Sequence, residues 1–124
     1  MNPQDFLKKP VVDADDSFAV VSVVAGTRTE IVSTRSRTGK IGYLVGLCVN
    51  TSGSVDDVTY EVEHNGGPLQ EYGKFTVALA NPSLWTFLPF PVPIGENCNL
   101  KLFATTTVAN ANITGRLIIY YTDN

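Results

Sequence analysis

The stretch Ile41–Asn50, with the sequence IGYLVGLCVN, is the most informative part of the chain for the fold. Its odd positions carry large apolar side chains, and its even positions are mostly small and also apolar. Because successive side chains of a strand point to opposite faces, such a strand has no face suited to water. Gly42 and Gly46 weaken a strand, so their expected use is the close approach of another backbone or side chain. We therefore expect this stretch at the centre of a sheet that is covered on both sides.

Length and composition set the class of protein. The chain has 124 residues, 44% of them hydrophobic and 17% charged, which predicts one globular domain. Ten Gly and seven Pro favour a sheet protein with many turns. A net charge of −3 is unlike that of a general nucleic-acid binder, which is normally basic. No run approaches the roughly 18 apolar residues of a membrane-spanning helix, and we expect no signal peptide and synthesis in a cytoplasm.

Short β runs follow one another from Phe18 onward. Val55–His64 alternates apolar and polar residues, as a strand with one wet face does. Asn65–Pro68 (NGGP) is a strong turn sequence, since Asn and Gly readily take positive φ. Prolines at every second position predict that Pro89–Gly95 is an edge or connecting segment, because proline cannot donate to a ladder. Ile113–Tyr121 closes the chain with a second doubly apolar run.

These runs predict about eight strands, with turns at the spacing typical of a sandwich or barrel. We predict an all-β fold, an antiparallel β-sandwich with jelly-roll topology preferred. An immunoglobulin-like arrangement is the alternative. The predicted organisation is an N-terminal arm, Met1–Asp16, followed by one sandwich domain over residues 17–124.

The predicted arm has two interpretations. It mixes charges with the acidic run Asp13–Asp16 (DADD) and has little periodicity. It is either a flexible tail or a segment that docks on a neighbouring subunit. In the second case Phe6, Val11 and Val12 are the candidate anchors.

No reaction centre is recognisable. His64 is the only histidine and stands beside a turn, without the spacing of a catalytic or phosphate-binding motif. Cys48 and Cys98 are either free thiols or a pair, and the sequence leaves this open. Asp56 and Asp57 are weak candidates for calcium ligands. We predict a protein that is not an enzyme and has no cofactor.

Two groups of residues are candidates for contacts with a partner. Arg35, Arg37 and Lys40 place three positive charges in six residues, either as a solubilising loop or as a contact with an acidic partner surface. Tyr72 and Trp85 belong to an aromatic segment that is mostly core, or that stacks on a sugar or protein surface if exposed.

The run from Val20 to Tyr121 resembles small β-sandwich (jelly-roll) virion structural proteins of bacteriophages, of the capsid-associated, decoration or spike type. The resemblance lies in the succession AGTRTEIVS, a polar loop with TGK, IGYLVGLCVN, NGGP, PVPIGENCNLKLFATTT and GRLIIYYTD. It implies a protein of the virion that acts through self-association, as a trimer by preference, and through contacts with other capsid proteins. In a trimeric jelly roll, Tyr120 and Tyr121 at the end of the last strand are candidates for the subunit interface. The alternative function is a carbohydrate-binding module or lectin-like sandwich that stacks a glycan on Trp85 and Tyr72.

Overall fold

The computed structural model describes residues 9–52, 57–69, 72–77, 83–107 and 109–123, with the backbone alone at 52, 83–87 and 89. The described chain forms nine strands: β1 (Val11–Val23), β2 (Thr29–Arg35), β3 (Lys40–Ser52), β4 (Val58–His64), β5 (Gly67–Pro68), β6 (Phe75–Val77), β7 (Ser83–Gly95), β8 (Asn99–Thr106) and β9 (Ala111–Asp123).

The strands form two antiparallel sheets that pack face to face. The first sheet has the order β1-β9-β3-β7, and the second has the order β2-β8-β4, with the short strands β5 and β6 both paired to β4. Apart from β4–β6, consecutive strands alternate between the two sheets, which is the arrangement of a jelly roll. The predicted all-β sandwich is confirmed. Among the described residues no helix is long and apolar enough to cross a membrane.

Strand β3 lies in the middle of the first sheet, between β9 and β7, as the doubly apolar sequence predicted. Its inward side chains, such as Leu44 and Val49, are fully buried. A register shift after Leu44 inserts Val45, which is also fully buried. A Cβ added to Gly46 would stand 2.9 Å from Ile118 Cδ1, so this glycine does permit a close approach of a side chain from β9.

The core lies between the sheets and follows the alternation of the strands. The inward residues of β9 and β8 are buried at every second position. Gly115 faces this core, and a Cβ there would lie 2.6 Å from Leu102 Cδ2 and 2.9 Å from Ile31 Cγ2. Side chains of the second sheet therefore fill the space that a larger residue at 115 would need.

Strand β1 begins earlier than the sequence predicted. Val11–Asp16 is the first half of β1 and pairs with β9, so the predicted boundary of the arm at Asp16 is wrong. The acidic run fits a strand because Asp13 and Asp15 point inward to Arg37 while Ala14, between them, points to solvent. Residues 1–8, which include the predicted anchor Phe6, lie outside the described residues.

Strand β7 is the other edge of the first sheet and pairs with β3. It contains Pro89, Pro91 and Pro93. The prediction that this proline segment occupies an edge is confirmed.

A candidate assembly surface

The outward side chains of β1, β9 and β3 form one surface, which we call the first outer face. The strand register defines its rows. Phe18 stands opposite Arg116, and Val20 stands opposite Thr114. Tyr43 stands opposite Tyr120 on the other side of β9.

Exposed apolar side chains are concentrated on strand β1. Of the five large apolar side chains that are exposed among the described residues, four lie in β1 or directly after it. They are exposed to 45% at Val12, 60% at Phe18, 63% at Val20 and 59% at Val24, and Phe90 on β7 is exposed to 67%. Exposed apolar side chains that are concentrated along one strand are unusual on a surface that meets only water, and they are typical of an interaction site.

The centre of the first outer face holds one ion pair. Arg116 Nε lies 3.1 Å from Asp16 Oδ1, and its guanidinium lies 5.1 Å from the centroid of the Phe18 ring. Cys48 stands opposite Arg116 on β3, and burial raises the pKa of its thiol. A raised pKa keeps the thiol protonated at neutral pH, so Cys48 is a poor nucleophile.

The outward side chains of β2, β8 and β4 form the second outer face, which is charged. Arg28 Nε lies 3.1 Å from Glu61 Oε1, and its Nη2 lies 3.3 Å from Glu63 Oε1. The same guanidinium covers the Phe103 ring at 3.7 Å from the centroid. The charges of this face are therefore compensated within the chain, and its aromatic ring is covered.

A polar cluster fixes the first half of β1 to the body of the domain. Arg37, between β2 and β3, pairs with Asp13 and with Asp15, where the distance from Nη2 to Oδ1 is 2.6 Å. Tyr121 donates its hydroxyl to Asp15 Oδ2 at 2.7 Å. Burial, with Asp15 beside it, raises the pKa of Tyr121 to about 12. This cluster joins three segments that are far apart in the sequence.

The structure separates the predicted basic cluster. Arg35 donates from Nε to Asn97 Oδ1 at 2.8 Å and from Nη1 to Asn99 Oδ1 at 2.9 Å. Lys40 Nζ lies 3.1 Å from Asp123 Oδ1. Arg37 pairs with carboxylates of β1, so all three basic side chains have partners within the chain and do not form one patch.

The remaining predicted contact residues are divided between the two sides of the first sheet. Val12 and Tyr120 belong to the first outer face, whereas Tyr121 is fully buried in the core. Val11 pairs with Thr122 at the start of β1. Tyr72 packs against the core. The backbone of Trp85 pairs with Cys48, and its side chain lies outside the described part of the structure.

Phe18 and Val20 are the surface residues that the sequence did not single out. The segment Phe18–Val24 (FAVVSVV) is apolar on both faces, so its pattern does not tell which side is outward. The packing of the first sheet on the second decides this, because Ala19, Val21 and Val23 face the core.

Nothing among the described residues indicates a catalytic or metal centre. His64 Nε2 lies 3.0 Å from the carbonyl oxygen of Ile94, which links β4 to β7. No group of His, Cys, Asp and Glu in this part of the chain is placed to hold a metal ion. Cys48 and Cys98 are free thiols.

Comparison with known proteins gives a similarity of structure. The sequence matches no protein-family model and no curated protein. The structure is similar to a solved structure of Bacillus endospore appendages, described as a family of disulfide-linked pili, with a TM-score of 0.61. The alignment covers 96% of this chain and 94% of that chain at 18% sequence identity. At this identity the similarity concerns the fold, an all-β sandwich that is used by a structural protein.

Proposed function

We propose that this protein is a non-enzymatic structural subunit that assembles with copies of itself through the first outer face. The observation that carries the proposal is the exposure of the apolar side chains Phe18, Val20 and Val24 on the first outer face. On the second outer face, by contrast, charged side chains form ion pairs with one another. Burial of the apolar side chains against a second copy stabilises the assembly, because it removes apolar surface from water that the isolated chain leaves exposed.

The similarity to a pilus protein supports assembly from repeated subunits. That protein is described as disulfide-linked, and the cysteines of this chain are Cys48 and Cys98. Cys48 lies on the first outer face with its thiol pKa raised by burial. We therefore propose association by apolar contact, with no need for a covalent link.

The finer form of the proposal follows from the sequence resemblance. In this form the protein is a capsid, capsid-decoration or spike component of a bacteriophage virion and is made in the host cytoplasm. It associates as a trimer by preference, and other capsid proteins are its further partners. Electron microscopy of the assembled protein tests this form, since closed rings or trimers are expected of a virion component and open fibres of a pilus. No described contact favours the carbohydrate-binding alternative, because Tyr72 packs against the core.

The test of self-association is the solution mass measured by light scattering over a dilution series. We expect the native protein to form an oligomer at micromolar concentration. Replacement of both Phe18→Thr and Val20→Thr removes the apolar row and should shift the mass to that of a monomer, with an unchanged circular dichroism spectrum. The matched control carries Glu30→Thr and Lys101→Thr, a pair 3.3 Å apart on the second outer face, and keeps the net charge.

Two results would contradict the proposal. A native protein that is monomeric throughout the micromolar range excludes self-association. An oligomer that persists in the doubly substituted protein excludes the first outer face. A third variant that lacks residues 1–8 leaves β1 intact and should retain the native mass.

A further inference from the structure

We propose that two copies of the chain join through the free edges of their β1 strands, in antiparallel orientation, so that two first sheets become one continuous sheet. This inference rests on the proposed self-association, and its unit is a two-fold pair in place of the trimer that the sequence resemblance implies. It adds the strand, the direction and the occupant of the interface.

Of the two edges of the first sheet, only one is suited to strand addition. Pro89, Pro91 and Pro93 on β7 have no N–H groups, which removes hydrogen-bond donors from that strand. Strand β1 has 13 residues and no proline, and in the described structure it pairs with β9 on one side. A long strand edge without such protection is a template for another strand.

The second half of β1 has the composition of a self-pairing segment. Phe18–Val24 consists of aromatic, β-branched and small residues, with no charge, no proline and no glycine. The edge strand β2 of the second sheet is a poorer partner, since its outward residues Glu30 and Arg35 are engaged with Lys101, Asn97 and Asn99. The uncharged segment of a second copy is therefore the occupant that fits best.

The charges on the first half of β1 determine the direction of pairing. Asp13, Asp15 and Asp16 lie within four residues of one another. In a parallel pair these carboxylates would stand beside those of the second copy, and like charges on adjacent strands are destabilising. In an antiparallel pair centred on Phe18–Val24, the two acidic halves lie at opposite ends of the interface.

Antiparallel pairing also extends the first outer face. The Val20 residues of the two copies would lie diagonally across the two-fold axis, and Phe18 of each copy would stand opposite Val24 of the other, all on the same side of the joined sheet. The apolar rows of two copies thus form one larger surface, on which further copies are able to pack.

Spin labels test this geometry in a background with Cys48→Ser and Cys98→Ser. A label at Ser22→Cys lies near the two-fold axis, where we expect strong dipolar broadening at a separation of about 10 Å. A label at Val12→Cys lies about nine residues from the axis, which gives a separation of roughly 60 Å between copies. Both sites are exposed residues of the same strand.

The outcomes separate this inference from the proposed function. Similar short distances at both sites indicate parallel pairing, and long distances at both sites indicate an interface that does not join the two β1 strands. Each result overturns antiparallel edge pairing while self-association stands. A monomeric mass without dipolar coupling at either site overturns both.

A second measurement uses charge at the axis. Val20→Lys places two like charges close together across the axis, and we expect a dissociation constant raised roughly tenfold or more. Val12→Lys, at the end of the interface, serves as the matched control with a much smaller change. Equal effects of the two substitutions would contradict the antiparallel pairing.

Discussion

The two outer faces of this sandwich share the same strand geometry and differ in the chemistry of their outward side chains. On the second outer face, Arg28 satisfies Glu61 and Glu63 and covers Phe103. On the first, Phe18 and Val20 stand more than half exposed on an edge strand. A face whose charges and aromatic ring have partners within the chain gains little from contact with another protein. An exposed apolar row gains free energy when another protein removes it from water. The comparison indicates that folding and assembly are encoded on different sides of the same strands.

The largest expected effect is a loss of unfolding free energy, which should be greater for a substitution on the inner side of the first sheet than for one on its outer side. Gly115→Val should lower the free energy of unfolding by about 3 kcal/mol, because its side chain would overlap Leu102 and Ile31 between the sheets. Gly46→Ala should lower the free energy of unfolding by about 1 kcal/mol, since a single methyl group would meet one side chain on the outer side, that of Ile118, with Cδ1 at 2.9 Å and Cβ at 3.1 Å. Urea unfolding monitored by circular dichroism measures both. An equal loss in the two variants would contradict the distinction.

The adjacent residues Tyr121 and Tyr120 provide the next test. The pKa of Tyr121 is raised to about 12, so above pH 10 the unfolded chain releases a proton that the folded chain retains. Stability should therefore be full below pH 10 and fall by about 2 kcal/mol as the pH rises to 12. Urea unfolding at several pH values measures this.

The control for this pH dependence is the same substitution at the two tyrosines. Tyr121→Phe should remove most of the loss above pH 10, because it removes the titrating hydroxyl. Tyr120→Phe on the first outer face should leave it in place. A pH dependence that is unchanged in Tyr121→Phe would show that another group is responsible.

A smaller effect is expected on the second outer face. Arg28→Ala removes two ion pairs and the cover of Phe103, and because these are partly exposed the loss should be about 1 kcal/mol or less. Added salt should reduce the difference from the native protein. The oligomeric mass should not change, and a lower mass would show that this face takes part in assembly.

The smallest effect concerns the rate of thiol modification. In a Cys98→Ser background, Cys48 should react with iodoacetamide at pH 8 more slowly than a free cysteine, because its raised pKa lowers the fraction of thiolate. Its position on the first outer face predicts a further decrease at concentrations where the protein associates. A rate that is independent of protein concentration would argue against burial of this face.

The parts of the fold that the sequence predicted depend on local patterns. The doubly apolar run of β3 predicts a central strand, and alternate prolines in β7 predict an edge, because each pattern limits the environment of its own residues. The acidic start of β1 was interpreted as part of an arm because its partner Arg37 is more than 20 residues away in the chain.

The candidate site was less predictable for a related reason. Phe18–Val24 is apolar on both sides, so only the packing of β1 on the second sheet, through Ala19, Val21 and Val23, tells which residues meet solvent. Arg35, Arg37 and Lys40 are close in sequence, but the end of β2 and the start of β3 direct them to different partners. The spacing of residues in the sequence predicts neither the outward side of β1 nor the separate partners of the three basic residues.

Hydroxyl-radical footprinting at high and low protein concentration tests the proposed assembly, with Phe18 and Phe103 as reporters of the two outer faces. We predict that dilution increases the labelling of Phe18 several-fold and leaves that of Phe103 unchanged, because only the first outer face is covered by another copy. Equal labelling of Phe18 at all concentrations, or a change at Phe103 alone, would contradict it.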